Sequence, residues 1–432
     1  MNSFDDNLIP SLVKCLSFLS VQDKPLPGAP FGAEVKKALD FTLELASSMG
    51  FRTENLDGYC GIADIGNGPV FGILGHLDVV PVGKGWTANP RGEIKDGVIY
   101  GRGVMDDKGP VLCCLYAVKR LIDEGFVPKR KIRFILGCNE ESGWACIDRY
   151  NRTEVMPDTG FSPDANFPVI NGEKGILHFN MSAETVEGIT VKGGERANIV
   201  PNECFASLPY TAELYSALEG RDLELRIAEN RLLVFAKGVS SHAAHPEQGE
   251  NAIIKLLSAL PFSPIKEFAS RLSASDGSAA GIALEDGKSG KLTVNTGVIN
   301  IENGKFSADM DIRYPVSYDA DYVLELVAKN FPEFTLRTDQ IQKPLFIDEN
   351  DDLILELCDA YASVTGTEAK PVTIGGGTYA RALKKGCAFG PELPGRPSTI
   401  HMPDECVSVD DLKLIYDIYY EAVKRLCFAP RS

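Results

Sequence analysis

Lys-Ile-Arg-Phe-Ile-Leu-Gly-Cys at 131–138, followed by Asn-Glu-Glu-Ser-Gly-Trp at 139–144, reads as a buried strand that runs into a pair of carboxylates. Val70–Leu74 is a second short apolar strand, ending at His76, and Val111–Glu124 between them has the periodicity of a helix. This strand–helix–strand alternation predicts an α/β fold, a mixed sheet with helices on its faces. In such sheets ligands gather beyond the carboxyl ends of the strands, where His76 and the Glu pair fall.

Around that core the chain reads in three stretches. Residues 6–50 predict two amphipathic helices, around Leu8–Leu19 and Ala33–Ser48, the second closed by Met49-Gly50. From about Gly175 the pattern changes. Leu223–Val239 alternates as a hairpin with its turn at Glu229-Asn230, and Leu292–Arg313 as another around Glu302-Asn303-Gly304. Helices Asn251–Leu260 and Asp319–Asn330 follow them, so the segment reads as two similar halves. Ser270–Gly290, rich in Ser, Ala and Gly, reads as a mobile connection. After Pro344 come a helix at Asp351–Ser363, a short strand at Pro371–Ile374, Gly375-Gly376-Gly377-Thr378, and a last helix at Val409–Leu426. The expected organisation is a discontinuous domain of residues 1–175 and 343–432, with an α+β domain at 176–342 inserted into it.

A chain of 432 residues is long for one core, which agrees with two domains. Its 44% hydrophobic and 24% charged residues are those of a globular protein. A net charge of −16 argues against a nucleic-acid surface. No run of about 18 apolar residues is present, so no membrane span is expected. Met1-Asn2-Ser3-Phe4-Asp5-Asp6 lacks the basic and apolar regions of a signal peptide. The 11 cysteines show no CxxC spacing and read as reduced thiols of a cytoplasmic protein.

The chemistry lies in five separated motifs: Gly-His-Leu-Asp-Val-Val-Pro (75–81), Met105-Asp106-Asp107-Lys108-Gly109, the Glu140-Glu141 pair, Phe161-Ser162-Pro163-Asp164, and Ser-Thr-Ile-His-Met-Pro (398–403). Singly each is commonplace: a strand-end histidine, an N-cap, an acidic loop. Together they are the ligands of a two-metal hydrolase. Imidazole and carboxylate suit zinc, manganese or cobalt, whereas calcium prefers oxygen alone. Two such cations sharing a carboxylate activate a water and polarise a carbonyl. Of the two adjacent glutamates, one can ligate and one can act as base. Asp78, two residues after His76, can orient the imidazole ring. His178, with nothing acidic near it in sequence, and His245 read as structural. Gly375–Gly377 lacks the Lys of a phosphate-binding loop and reads as a close approach of backbone, Gly376 included, to a substrate.

With these motifs, and with Gly-Arg-Gly-Val-Met-Asp-Asp-Lys-Gly-Pro (101–110), Asp-Ile-Arg-Tyr-Pro (311–315) and Gly-Gly-Gly-Thr-Tyr-Ala-Arg (375–381), nearly the whole chain resembles one family. This is the di-zinc peptidase family of aminoacylases, glutamate carboxypeptidases, succinyl-diaminopimelate desuccinylase and dipeptidases, and within it the bacterial PepV-type dipeptidases. The resemblance implies that Asp106 bridges both metals, with His76 and Asp164 completing one site and Glu141 and His401 the other. Glu140 would be general base and acid, with Asp78 behind His76, and the Asp106–Asp107 peptide would be cis. The resemblance makes the inserted α+β domain a substrate-clamping lid, in which His242 would support the oxyanion and Asn198 and Arg313 would contact substrate, with Arg381 doing so from the metal domain. An Arg fork matches a substrate carboxylate. The implied activity is hydrolysis of dipeptides with free termini. An N-acyl amino acid deacylase, or a metal-binding protein without catalysis, are the rivals. A two-halved lid could replace a dimer partner internally, so a monomer is expected.

Overall fold

The computed structural model describes residues 7–429. The reading of Met1–Asp6 lies outside them. The chain divides into two compact units, each with its own core. One comprises the residues up to Asn171, Ile347–Val372, and those from Thr378 on; the other is Gly172–Phe346 with Thr373–Gly377. The expected boundaries of 175 and 343 shift by a few residues, and the triglycine segment changes sides. The reason is its bonding. Lys174 N–H donates to Ile374 O (2.9 Å), Thr373 Oγ1 to Lys288 O (3.0 Å) and Arg313 Nη1 to Gly375 O (3.0 Å).

The first unit is built on a mixed sheet. Its order is Arg52–Leu56, Cys60–Ile65, Lys131–Gly137, Val70–His76, Thr159–Ser162, Lys385–Ala388 and Ile170–Glu173. The four strands from Lys131–Gly137 to Lys385–Ala388 are mutually parallel. Their carboxyl ends therefore face one way, and three of them lead directly into sequence motifs with candidate ligands. Helix Lys108–Asp123 buries Val111, Leu112, Leu115 and Val118 completely, and Phe134 and Phe161 of the sheet are equally buried. Each such side chain contributes about 1.5–3 kcal/mol relative to exposure. Helices Ala33–Ser48, Asp352–Thr365 and Val409–Cys427 form where the sequence placed them, to within a residue or two. Ser408 caps the last, its side chain accepting from Asp411 N–H, and Asp351 caps the one before it.

The second unit is one antiparallel sheet of eight strands. The order is Glu224–Ala228, Arg231–Lys237, Glu203–Pro209, Thr190–Gly193, Thr293–Glu302, Lys305–Tyr314, Gly175–Glu184 and Thr335–Gln342. Both hairpins turn at residues with positive φ, Glu229 and Asn230 in one and Asn303-Gly304 in the other. Thr190–Gly193 pairs with Glu203–Pro209 on one side and Thr293–Glu302 on the other, so both hairpins belong to a single sheet. Ser270–Gly290 is not the featureless connection expected of its composition. It carries the turn Ser278–Ala280, and Asp286 accepts from the N–H groups of Lys288, Ser289 and Ser317. All eleven cysteines are free thiols. Among the described residues no helix is long and apolar enough to cross a membrane.

Candidate metal centre

His76 is the last residue of its strand and only 1% exposed. A Cβ on Gly75 would collide with the Asp107 carboxylate, so glycine here is what allows Asp107 Oδ2 to accept from the His76 N–H (3.1 Å). His76 Nδ1 lies 2.9 Å from the main-chain carbonyl of Asp78 and donates to it. That bond leaves Nε2 as the nitrogen aimed into the site, the one a cation would bind in exchange for a proton. Nε2 is buried and makes no hydrogen bond among the described residues, although Asp106 Oδ1 is only 2.9 Å away. A buried imidazole nitrogen facing carboxylates without a hydrogen bond is what a metal ligand looks like before its cation arrives.

Asp106 gives the arrangement its symmetry. Its Oδ1 faces His76 and its Oδ2 lies 2.9 Å from His401 Nε2. His401 Nε2 is also 3.1 Å from Glu141 Oε1, and Asp164 Oδ2 is 3.7 Å from His76 Nε2. Ligand atoms of His76, Asp106 and Glu141 lie within 4.8 Å of one another, as do those of His76, Glu140 and Asp164. The donor set, imidazoles with several carboxylates gathered about them, fits divalent cations. The Asp106–Asp107 peptide is cis.

Asp78 orients the ring through its main-chain carbonyl, while its side chain does something else. Its carboxylate is 3.6 Å from His76 Nδ1 and instead accepts from the N–H groups of Glu140 and Glu141, each at 3.1 Å. It holds the turn that presents both glutamates. That turn is also braced by Asn139, which accepts from Trp144 N–H (2.7 Å) and Ala145 N–H (3.0 Å).

Two aromatic residues that sequence reasoning left out wall the site. Trp144 Nε1 donates to Glu140 Oε1 at 3.2 Å, and its ring meets Tyr379 edge-on at 5.2 Å. Tyr379 in turn meets His76 edge-on at 6.2 Å and sits where a Cβ on Gly137 would be. The sequence signal for Trp144 is an indole donor four residues after a candidate catalytic carboxylate.

The charges are finely opposed. Burial pushes Glu140 up to about 8, with Glu141, Asp78 and Asp106 adding to it and His76 opposing. Burial alone would lower both histidines, but Asp106 outweighs it, raising His76 well above its usual value and, with Glu141, His401 to about 10. Burial raises Asp106 too, but the two imidazoles overcome it and hold it below its ordinary value. These are properties of the metal-free protein. A raised pKa means the folded state binds more protons than the unfolded one, so stability falls as pH rises. For Glu140 that loss runs from about 4.5 to about 8, and for His401 from about 6.5 to about 10. A cation must displace the same protons, so metal uptake strengthens with pH. The gap in melting temperature between metal-loaded and metal-stripped protein should therefore widen from pH 6.5 to pH 8. A constant or narrowing gap in thermal melts would show that these groups are not displaced together.

Within the second unit, Ala243 N–H donates to Asn198 O (3.0 Å), which sets Asn198 and His242 on adjoining segments. Ala244 N–H donates to His242 Nδ1 (3.1 Å), leaving the proton on Nε2 as a donor. The segment bearing Asn198 is pinned by Asn295, whose amide donates to Ala197 O and Ile199 O (2.8 and 2.9 Å). Arg313 is 3% exposed and its fork closes on Asp311, Nε to Oδ1 and Nη2 to Oδ2, both 2.7 Å. With Nη1 on Gly375 O, this Arg ties a strand to the triglycine segment, so the expectation that it contacts substrate meets a fork already largely engaged. His178 is not without an acidic neighbour: its Nε2 lies 2.7 Å from Asp311 Oδ2 across paired strands. Gly376 follows in the same segment, and Arg381 lies in the helical turn Tyr379–Ala382 of the first unit.

The arrangement is that of a metallopeptidase. The chain belongs to peptidase family M20/M25/M40, whose model matches residues 72–425. A Bacillus subtilis (strain 168) protein named "Putative dipeptidase YtjP" is 35% identical over 98% of this chain and 97% of its own. An M20 family metallo-carboxypeptidase from Sulfolobus solfataricus shares the fold, with a TM-score of 0.61 at 16% identity over 97% of this chain and 99% of that one. So does the aminoacylhistidine dipeptidase of Vibrio alginolyticus, with a TM-score of 0.60 at 14% identity over 100% and 98% of the two chains. The protein is thus a metal-dependent hydrolase of peptides.

Proposed function

We propose that this metallopeptidase cleaves dipeptides with free termini at a pair of divalent cations, zinc in the first place. The observation that carries the reading is Asp106, whose two oxygens each stand 2.9 Å from a different imidazole. His76 and Asp164 would hold one cation, His401 and Glu141 the other. When bound, such a pair supplies an activated water and polarises the scissile carbonyl. The rest is protein chemistry. Glu140 takes one proton from the attacking water at Oε2, while Trp144 Nε1 fixes Oε1. The carbon–oxygen bond forms, the carbon–nitrogen bond breaks, and Glu140 returns the proton to the departing amine. One water is consumed and two amino acids leave.

Support for dipeptides over acylated amino acids comes from the name of the Bacillus relative. Asn198, His242 and Arg381 are assigned to substrate by the resemblance, and the donor proton on His242 Nε2 suits an oxyanion partner. Free thiols throughout accord with a cytoplasmic, reducing setting, and the two halves within one sheet with a monomer. The test is hydrolysis by metal-stripped protein with zinc, manganese and cobalt restored separately. Cleavage of free dipeptides with inert N-acetyl counterparts is expected. Activity on the acetylated compounds alone would make it a deacylase.

Trp144→Phe keeps the ring against Tyr379 and removes only the donor. A hydrogen bond to a charged group contributes about 1.5–3 kcal/mol, so kcat should fall about tenfold or more with KM unchanged. Steady-state kinetics would decide; an unchanged kcat would mean that Glu140 needs no such anchor.

A further inference from the structure

Glu405 follows His401 by four residues and is wholly buried. Nothing in the reaction above uses it, yet its carboxylate is saturated. Oε2 accepts from Arg102 Nη1 (2.6 Å), and Oε1 accepts from the N–H groups of Gly103 (3.1 Å) and Met105 (3.0 Å). Its own carbonyl accepts from Gly101 N–H at 2.9 Å. These donors form the turn that delivers Asp106. Glu405 is thus a clamp between two loops that meet nowhere in sequence, one ending in Asp106 and the other bearing His401.

The clamp has reason to exist. His401 has φ +62°, a left-handed conformation that a non-glycine residue keeps only where its surroundings hold it. Asp404, beside Glu405, also has positive φ and is fastened to Thr87 and Ala88 by three hydrogen bonds of 2.7–3.0 Å. Arg102 is buried too and packs against the Trp86 ring, 5.4 Å from its centroid. Among the described residues the half-exposed His401 side chain has Asp106 and Glu141 against its Nε2, so its position depends on how its loop is held.

We infer that Glu405 is a positioning residue that sets the Asp106-to-His401 spacing, and with it the affinity of the His401-side cation. The inference rests on the metal ligands proposed above. Glu405→Gln keeps the shape but turns an amide towards donors. Removal of residues that orient metal ligands typically weakens metal binding about 10–100-fold. In chelator competition with zinc on the full chain, the second equivalent should weaken by that factor in Glu405→Gln, with the first left in place. Glu405→Asp retains the charge opposite Arg102 but cannot reach both amides, and should do the same. Both equivalents binding as in wild type, in either folded variant, would overturn the inference and leave Glu405 a structural residue. If neither variant folds, amide exchange on wild-type protein decides. The second zinc equivalent should slow exchange at Gly103 and Met105 together with residues 399–406, and protection confined to 399–406 would overturn it. Wild type binding fewer than two zinc ions would sink the ligand assignment instead.

Discussion

Replacing Glu140 with Gln is expected to lower kcat about 10²–10⁴-fold, the range for loss of a positioned proton-transfer group. Metal content and KM should stay near wild type. Gln has the size of Glu, and its carbonyl can still accept from Trp144 Nε1. The turn stays in place because Asp78 holds it through main-chain N–H groups, which the substitution does not touch. What is lost is a site for the proton. Glu140 is placed for that role because the turn held by Asp78 presents it and the Trp144 indole fixes one of its oxygens, leaving the other to take the proton. Kinetics on a free dipeptide, beside metal analysis of the same sample, would check this. A variant within tenfold of wild-type kcat would exclude Glu140 as the base, whereas loss of metal would make it a ligand.

Asp106→Asn should have the other large effect, this time on loading. The wild-type carboxylate presents one oxygen to each imidazole. An amide has one acceptor and no charge, so it can serve one side only and leaves two dications to repel without an anion between them. Bound metal should fall from two ions per chain to at most one after equilibration with a weak chelator. Peptidase activity should drop by at least about 10²–10³-fold, the scale of a lost electrostatic stabiliser. The metal-free protein should change as well. Without Asp106 the histidines lose the partner that raises them, so the stability that wild type loses above pH 6.5 through His401 should shrink in the variant. Full two-ion loading of Asp106→Asn, measured by metal analysis, would contradict a bridging role.

Local patterns carried much of this protein. The strand Lys131–Gly137 and the helix Lys108–Asp123 announce themselves because an apolar run and a 3.6-residue period are properties of neighbours in the chain. The five candidate ligands stand out in the sequence for a related reason: each lies at the end of a strand or in a loop beside a helix, where sheets of this kind gather their chemistry. Strand Lys385–Ala388 was not legible, since four residues inserted beside Thr159–Ser162 show no period of their own. Nor was the bonding of Ser270–Gly290, because Asp286 organises it through main-chain donors as distant as Ser317.

The sequence by itself determined which chemistry is possible: two imidazoles, their carboxylates and a spare glutamate, on an alternating strand and helix frame. Tertiary structure alone decided the assignments that depend on distance and direction. The Asp78 carboxylate serves the Glu140–Glu141 turn rather than the ring of His76. The Arg313 fork is engaged by Asp311, and Glu405 binds a turn some three hundred residues earlier in the chain. Hydrogen bonds act over about 3 Å and within narrow angles. Spacing along a chain shows which groups are present, but only the folded path shows which of them come within that reach.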